Sequence, residues 1–385
     1  MKIFYIYTAL TTKGGADRII SNKANYLSEH GYDISIVTDS QNGREPSFPL
    51  YEKVKLIDLN IDFGKEYGHN FAYRTFMYFI LMRKYKKAIK ELIFSEKPDI
   101  IITTLGRDLD FITSIKDGSI KIGEAHTNKK YLRNFHLLEQ RGFPFNFIAR
   151  YWKHKMEKNV SKLNAIVLLT KEDENYWKGL TKTFVINNFV PFYPKSASTC
   201  INKQAIIVGR YNNAKGYKYL IEAWNLVKER HPDWVINIYG SGEYYDIVKK
   251  EIHDRNLENV MIMNEPTDEI ITKYLNSSIY VMSSRYEGFG MVLLEAMACG
   301  VPCVAFDCPH GPRNIIKNGE DGILVKYLDS KALADGICLL IENENLRNEM
   351  GSKARINIQR FSKESIMNQW IQLFNLLSED AYECN

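Results

Sequence analysis

The chain has few cysteines, and none is spaced as a metal or redox site requires. The 385 residues include six cysteines and no Cys-x-x-Cys pair. Three of them, at 299, 303 and 308, are close in sequence to His310, but their spacing fits no common zinc pattern. We therefore predict no metal ion and no cofactor, and we expect reduced thiols in a cytoplasmic protein.

Long apolar runs are also missing. The most apolar internal stretch, FAYRTFMYFILMRKY (71–85), contains Arg74 and is shorter than the roughly 20 residues that a membrane-spanning helix needs. The opening MKIFYIYTAL carries one basic residue and is followed by no small-x-small cleavage site. We interpret this opening as a buried strand, and we expect no transmembrane helix.

Two common nucleotide-binding fingerprints are absent. The loop TALTTKGGADR (8–18) joins a predicted strand to a predicted helix, and Gly14 and Gly15 allow a ligand to approach its backbone closely. The loop does not read Gly-x-Gly-x-x-Gly, and the chain contains no Gly-Lys-Ser/Thr. A dinucleotide fingerprint and a P-loop are thus excluded, and a purely structural turn is an equal alternative for this loop.

The net charge of +5 is mild and predicts no nucleic-acid partner. The basic residues are unevenly distributed, because residues 129–158 contain eight of them against two acids, interleaved with seven aromatic residues. A preceding predicted helix adds Lys84, Lys86, Lys87 and Lys90. Such a surface suits an anionic membrane, so we predict peripheral contact with the inner face of the cytoplasmic membrane. A phosphorylated acceptor or an ordinary solvated surface is the alternative.

Short buried strands alternate with helices twice along the chain. The first series runs from KIFYIY (2–7) to TFVINN (183–188), and the second from QAIIVGR (204–210) to DGILV (321–325). This alternation predicts an α/β fold of two Rossmann-like, doubly wound parallel-sheet domains facing a central cleft, with ligands at the carboxyl ends of the strands. The predicted organisation is an N-terminal Rossmann-like domain (1–190), a C-terminal Rossmann-like domain (191–360) and a C-terminal helix (361–385).

Two cations follow the first strand of the second series. In VGRYNNAKGYKYLIEAW (208–224), Arg210 ends the strand, and Lys215 lies just before Gly216 and a helix. Cations beside a helix N-terminus can neutralise a diphosphate without a metal. Gly240 and Gly242 belong to a similar strand–loop–helix junction and are predicted to line the same cleft. Ordinary surface charges are the alternative for the two cations.

The stretch SSRYEGFGMVLLEAMACG (283–300) adds two carboxylates, one before a glycine turn and one eight residues later on the predicted helix. A carboxylate accepts two hydrogen bonds and suits vicinal hydroxyls, while amides at the start of a helix suit an anion. A nucleotide-sugar site needs such a set of groups. One acid would bind the sugar, the amides and cations would bind the diphosphate, and the other acid would bind the ribose. The predicted site residues in this stretch are Glu287, Gly288, Phe289, Gly290, Met291, Val292 and Glu295.

These motifs resemble those of a known enzyme family. EGFGMVLLE is similar to the Glu-x7-Glu motif of retaining glycosyltransferases with the GT-B fold, and EAMACGVPCVAFD and NGEDGILV resemble segments of family GT4. VGRYNNAKGYKYLIEAW is similar to that family's diphosphate site, and KGGADR to its N-terminal Gly-Gly loop. The resemblance covers nearly the whole chain, is clearest over 204–325, and indicates the bacterial surface-polysaccharide type.

The resemblance implies a reaction. The expected enzyme is a hexosyl- or N-acetylhexosaminyltransferase that moves a sugar from a nucleotide-sugar, UDP in preference to GDP, with retention of configuration and without a metal. The expected acceptor is a glycan or lipid-linked glycan in bacterial capsule, lipopolysaccharide or exopolysaccharide synthesis.

The resemblance also implies that the N-terminal domain binds the acceptor, that the C-terminal domain binds the nucleotide-sugar, and that the C-terminal helix packs back toward the N-terminal domain. It further implies roles for single residues. Arg210 and Lys215 would bind the diphosphate, Glu287 the sugar hydroxyls, and Glu295 the ribose. His126, in GEAHTN, resembles the family histidine that contacts the donor sugar, with a core or surface histidine as the alternative. The catalytic set thus implied comprises Glu287, His126, Arg210 and Lys215.

One segment departs from the family pattern. Where many relatives read Gly-x-x-Glu, this chain reads CPHGPRNII, so Asn314 replaces the usual acid and the role of that acid has no counterpart here. Two other functions stay open, namely a catalytically inactive nucleotide-sugar binding protein and a GT-B nucleotide-sugar epimerase or hydrolase.

Overall fold

The computed structural model of the protein describes residues 1–66 and 71–383. The chain divides into two compact units, Met1–Asn187 with Ile366–Asn385, and Asn188–Ser365. Cys384, one of the six cysteines considered above, lies outside the described residues. Among the helices of the described ranges, none is both long and apolar enough to cross a bilayer.

The first unit contains a seven-stranded parallel sheet with the order β3-β2-β1-β4-β5-β6-β7. Its strands are apolar runs such as IIIT, whose four residues are all buried, as expected where helices cover both faces of a parallel sheet. The strands are β1 (Lys2–Tyr7), β2 (Asp33–Thr38), β3 (Lys55–Asp58), β4 (Ile100–Thr103), β5 (Ile120–Glu124), β6 (Ala165–Leu168) and β7 (Thr183–Val185).

The second unit contains a six-stranded parallel sheet with the order β10-β9-β8-β11-β12-β13. Its core includes the fully buried Trp224 together with Tyr211 and Phe306. The strands are β8 (Gln204–Val208), β9 (Val235–Tyr239), β10 (Met261–Asn264), β11 (Ile279–Met282), β12 (Cys303–Phe306) and β13 (Gly322–Val325). The prediction of an α/β protein with two parallel-sheet units is confirmed.

Helices follow most strands, as parallel connections require. The α-helices are α1 (Gly15–Glu29), α2 (Phe71–Glu96), α3 (Phe135–Glu139), α4 (Phe145–Val160), α5 (Lys171–Trp177), α6 (Tyr217–Arg230), α7 (Tyr245–Asp254), α8 (Ile270–Leu275), α9 (Met291–Ala298), α10 (Pro312–Ile315), α11 (Ser330–Glu342), α12 (Glu344–Asn357) and α13 (Lys363–Glu383). Short 3-10 helices lie at Phe63–Glu66, Arg107–Asp110, Ile112–Ser114, Leu132–Asn134, Asn213–Lys215 and Ile358–Phe361.

Each sheet has a position where the strand order reverses. In the first sheet β1 lies between β2 and β4, and in the second β8 lies between β9 and β11. The loops that leave the carboxyl ends of two such central strands diverge to opposite faces, which opens a crevice suited to a ligand. The sequence motifs around Lys215 and Glu287 follow β8 and β11, and they therefore meet at the crevice of the second sheet.

Candidate functional site

The site in the second unit is built from two loops that are bonded to each other, the β8 loop (209–216) and the β11 loop (283–290). Ser283 Oγ donates to the carbonyl oxygen of Lys215 at 2.9 Å, and the amide of Arg285 donates to the carbonyl of Ala214 at 2.7 Å. Gly216 has a φ of +63°, and a Cβ there would lie 2.2 Å from the carbonyl oxygen of Ser283. Only glycine permits this approach, which places Lys215 beside the β11 loop.

The side chains of Lys215 and Glu287 meet in this crevice. Lys215 Nζ lies 2.7 Å from Glu287 Oε1, with the two side chains 17% and 13% exposed. Ser284 Oγ donates to the same carboxylate oxygen at 2.6 Å. The structure therefore joins Lys215, which is predicted to bind the diphosphate, and Glu287, which is predicted to bind sugar hydroxyls, in one partly buried ion pair.

Arg210 adds a second positive charge at the end of β8. Its side chain is exposed, and within the described chain no acidic group pairs with it. The residue before it, Gly209, lies under the Lys215 side chain, since a Cβ at Gly209 would be 2.9 Å from Lys215 Cε. The guanidinium is thus available to an anion, while the ammonium is held against the β11 loop.

The glycine turn of the β11 loop leads directly into α9. Gly290, with a φ of +104°, is the residue before the helix, which begins with Met291 and Val292. These two residues are partly exposed, and so is Gly288. Phe289 is 2% exposed and packs edge-on against Phe361. Phe289 therefore contributes its side chain to the core, and only its backbone can serve the predicted donor site.

The segment that departs from the family pattern also touches this turn. A Cβ on Gly311 would lie 2.8 Å from Glu287 Cβ and 3.0 Å from the carbonyl oxygen of Phe289. Asn314, three residues later on α10, is partly exposed, and its buried Nδ2 has no hydrogen-bond partner among the described residues. CPHGPRNII thus belongs to the wall of the site.

Glu295 is more buried than its predicted ribose role suggests. It is 6% exposed, and its Oε2 accepts a hydrogen bond from the Tyr274 hydroxyl at 3.0 Å. Burial and then the Glu295 charge raise the pKa of Tyr274 well above its usual value. Burial, followed by Glu287 and other groups including Glu295, likewise raises the pKa of Tyr280, so both carboxylates lie near this ring.

Gly240 and Gly242 have a packing role that the sequence did not reveal. A Cβ on Gly240 would lie 1.9 Å from the carbonyl oxygen of Gly209, and one on Gly242 would lie 2.5 Å from that of Tyr211. The loop after β9 therefore rests on the β8 loop and supports it. The structure assigns the two glycines to this backbone contact, and a ligand contact stays a prediction.

Gly14 and Gly15 lie in the first unit, at the start of α1. Gly14 is the residue before the helix, and Gly15 is exposed. The buried Asp17 accepts hydrogen bonds from the Tyr7 hydroxyl and the Thr12 amide, both at 2.8 Å. The loop after β1 is thus fastened to its helix by a carboxylate that the sequence analysis did not single out.

His126 also lies in the first unit, two residues after β5. Its Nε2 is 3.7 Å from Glu124 Oε1, and Glu124 forms a buried ion pair with Lys23. Burial, and then the Lys23 charge, lowers the pKa of His126 to about 3, so the ring is neutral at physiological pH. The sequence analysis missed Lys23 and Glu124. A lysine on the apolar stripe of α1, four residues from Ile19 and from Leu27, was the available signal.

The cysteines that precede His310 are buried free thiols. Within the described ranges, the group with metal-ligand chemistry is a different one, His231, Cys338 and Glu342, whose ligand atoms lie within 4.8 Å of one another. Glu342 is already paired with Arg230 at 2.7 Å. No cation is therefore assigned to this group.

The basic and aromatic segment 129–158 includes α3 and α4. Phe143 and Tyr151 are 82% and 64% exposed, and Leu137, Phe147 and Ile148 are exposed as well. Half of its basic residues pair with acids; the others, which pair with no acid in the part of the chain described, are Lys130, Arg141, Arg150 and Lys158. Lys84, Lys86, Lys87 and Lys90 on α2 are exposed too.

A solved structure shares this fold. A variant of TarM from S. aureus, in complex with Fondaparinux, alpha-GlcNAc-glycerol and UDP, superposes with a TM-score of 0.78 at 19% identity over 97% of this chain and 99% of that chain. The protein has the GT-B fold, and the class of protein that this fold and the sequence comparisons define is the glycosyltransferases.

The sequence comparisons agree with the fold. Residues 196–357, within the second unit, match the family model described as Glycosyl transferases group 1, and this part of the chain is similar to that family. An uncharacterized glycosyltransferase of Haemophilus influenzae is 28% identical over 96% of this chain and 98% of its own length. The amylovoran biosynthesis glycosyltransferase AmsD of Erwinia amylovora is 25% identical over 97% of this chain and 99% of its own length.

Proposed function

We propose that this glycosyltransferase moves a sugar from a UDP-sugar to a glycan or lipid-linked glycan in the synthesis of a bacterial surface polysaccharide. The observation that carries the proposal is the partly buried Lys215–Glu287 pair, together with the exposed Arg210 on the same β8 loop as Lys215. Two cations can hold a diphosphate, and the carboxylate can hold sugar hydroxyls next to it. UDP in the TarM complex and the name of AmsD support the choice of nucleotide and pathway class.

The proposed reaction retains the anomeric configuration. The acceptor hydroxyl attacks the anomeric carbon from the face that the diphosphate leaves, the glycosidic C–O bond to the diphosphate breaks, and the departing phosphate oxygen takes the hydroxyl proton. Arg210 and Lys215 would neutralise the charge that develops on the diphosphate, aided by the first amides of α9. Because these groups supply positive charge, the proposed transfer needs no metal.

Donor binding tests the site directly. The melting temperature of the protein is measured with UDP, UDP-glucose, UDP-N-acetylglucosamine and GDP-mannose. A ligand present at 100 times its Kd should raise the free energy of unfolding by about 2.7 kcal/mol. Lys215→Met should reduce the stabilisation by UDP at the same concentration to about half or less. Lys218→Met, at an exposed lysine three residues later on α6, is the matched control and should keep it. An undiminished rise in Lys215→Met would refute the assignment.

Transfer is then measured by product analysis. Radiolabelled sugar from the stabilising donor should appear in a glycan or lipid fraction, with the donor's anomeric configuration by NMR and at an unchanged rate in EDTA. Donor loss to free sugar without acceptor would point to a hydrolase or epimerase. Donor binding without any turnover would point to a binding protein.

The proposed location is the inner face of the cytoplasmic membrane, held there by residues 129–158. Exposed rings such as Phe143 and Tyr151 can enter the headgroup region while the unpaired cations contact anionic lipid. Sedimentation with vesicles of phosphatidylglycerol, but not of phosphatidylcholine alone, is the expected result. Equal sedimentation with both would contradict an electrostatic contact.

A further inference from the structure

A buried ion pair lies next to His126 in the first unit. Lys23 on α1 and Glu124 at the end of β5 form this pair, and their side chains are 3% and 1% exposed. The Lys23 ammonium also lies over the ring of Trp370 on α13, 4.1 Å from its centroid. Removing two charges from water costs several kcal/mol for each ion, which their attraction only roughly offsets. Replacing such a buried pair by apolar residues of similar size is often neutral or stabilising, so stability alone is a weak reason for its presence.

The carboxylate of this pair lies close to the imidazole of His126. Glu124 Oε1 lies 3.7 Å from His126 Nε2, which is too far for a hydrogen bond but close enough to favour a proton on that nitrogen. Nε2 is buried and has no hydrogen-bond partner within residues 1–66 and 71–383. The carboxylate therefore favours the tautomer that carries its proton on Nε2. The side chain is 15% exposed, which leaves part of the ring open to a ligand.

We propose that Lys23 and Glu124 are positioning residues that hold His126 as the tautomer protonated on Nε2, so that Nδ1 offers a lone pair to a hydroxyl of a ligand. The identity of the ligand rests on the proposed function, whereas the tautomer is a property of the ligand-free protein. Burial raises the pKa of Glu124 and lowers the pKa of Lys23. In the proposed arrangement the contact between the two groups opposes both shifts and keeps Glu124 ionised. Because the pKa of His126 is lowered to about 3, the neutral ring carries a single proton whose place the carboxylate selects.

The tautomer can be read by NMR of the full chain labelled with 15N-histidine. The chain contains eight histidines, so the His126 signals are assigned by their loss in His126→Gln. In the wild type at pH 7.5 we expect one protonated and one unprotonated ring nitrogen, with the proton on Nε2. A proton mainly on Nδ1 would overturn the proposal, and this measurement needs no variant of the pair.

Variants separate positioning from a structural role. Lys23→Met leaves Glu124 buried without its partner and should lower the melting temperature by about 10 °C. The double variant K23M/E124M replaces both charges by apolar side chains and should return within about 5 °C of the wild type. If the pair positions His126, the folded double variant shows a mixture of tautomers. An unchanged proton on Nε2 in the double variant would show that the pair is merely structural.

A second experiment with sugar donors tests whether the tautomer of His126 affects sugar binding. The rise in melting temperature caused by UDP-glucose and UDP-N-acetylglucosamine is compared with the rise caused by UDP. In the wild type the effective UDP-sugar should raise the melting temperature more than UDP does, and in K23M/E124M this excess should shrink while the UDP effect persists. An undiminished excess overturns the sugar contact. If neither UDP-sugar exceeds UDP in the wild type, the proposed donor is wrong, and the NMR result still decides the positioning role.

Discussion

Replacing Gly209 by alanine should weaken UDP binding without unfolding the second unit. The new methyl carbon would lie 2.9 Å from Cε and 3.3 Å from Cδ of Lys215, well inside the optimal carbon–carbon separation of about 3.5–4.0 Å. Its three nearest neighbours are all atoms of this flexible side chain, so the side chain moves and the backbone stays. The ammonium then leaves its place 2.7 Å from Glu287 Oε1.

The size of the effect follows from the contact that is displaced. A hydrogen bond to a charged group contributes about 1.5–3 kcal/mol, and the long lysine can recover part of it from a shifted position. We therefore expect a loss of about 1.4 kcal/mol, which is about a tenfold weaker UDP affinity. The Lys215–Glu287 pair is partly exposed, so the melting temperature of the ligand-free protein should fall by less than about 4 °C.

Calorimetric titration with UDP provides the assay, and a double-mutant cycle provides the control. If Gly209→Ala acts through Lys215, the double variant G209A/K215M should bind UDP no more weakly than Lys215→Met alone. Independent losses that add in the double variant would refute this coupling. An unchanged UDP affinity in Gly209→Ala would refute the placement of the Lys215 side chain.

Three further predictions concern stability and surface contact. Tyr274→Phe removes the hydroxyl that donates a hydrogen bond to buried Glu295, and it should lower the free energy of unfolding in urea by about 1–3 kcal/mol. An unchanged free energy of unfolding would contradict that hydrogen bond. Burial raises the pKa of Asp108 from 3.8 to about 6, so the folded state binds the proton of this carboxyl group more tightly than the unfolded state does. The folded protein therefore loses stability as the pH rises between these two values. The free energy of unfolding of Asp108→Asn minus that of the wild type should therefore be larger at pH 8 than at pH 3.5, by up to about 3 kcal/mol. The same difference at both pH values would refute this. Phe143→Ser should reduce sedimentation with phosphatidylglycerol vesicles severalfold, whereas Ile356→Ser, at an exposed position of the second unit, should not; equal losses would contradict a specific contact surface.

Some of the site could be predicted because strand ends and glycine loops are local features. Apolar runs such as PDIIITT mark buried strands, and polar residues that follow them lie at the carboxyl edge of the sheet. That reasoning led to Lys215 and Glu287, which the structure places in contact. It could not show that the Phe289 side chain is part of the core or that Glu295 is held by Tyr274, because burial depends on elements distant in sequence.

Other features depend on close approach between segments and leave little trace in the sequence. Gly209 and Gly240 read as ordinary loop glycines, yet one lies under the Lys215 side chain and the other touches a neighbouring carbonyl. Lys23 reads as an exception on an apolar helix face, and its partner is 101 residues away. A local sequence pattern indicates whether a segment is a helix or a strand, but it does not identify the residues of other segments that contact it.

The amino-acid sequence by itself determined the two parallel sheets and the kinds of side chain at their carboxyl ends, because apolar periodicity and loop composition are written within a few consecutive residues. Only the tertiary structure decided that Lys215 meets Glu287 across 72 residues and that Lys23 and Glu124 lie against His126. The physical reason is that strand order, and therefore the choice of neighbouring loops, is set by how helices pack over each whole sheet.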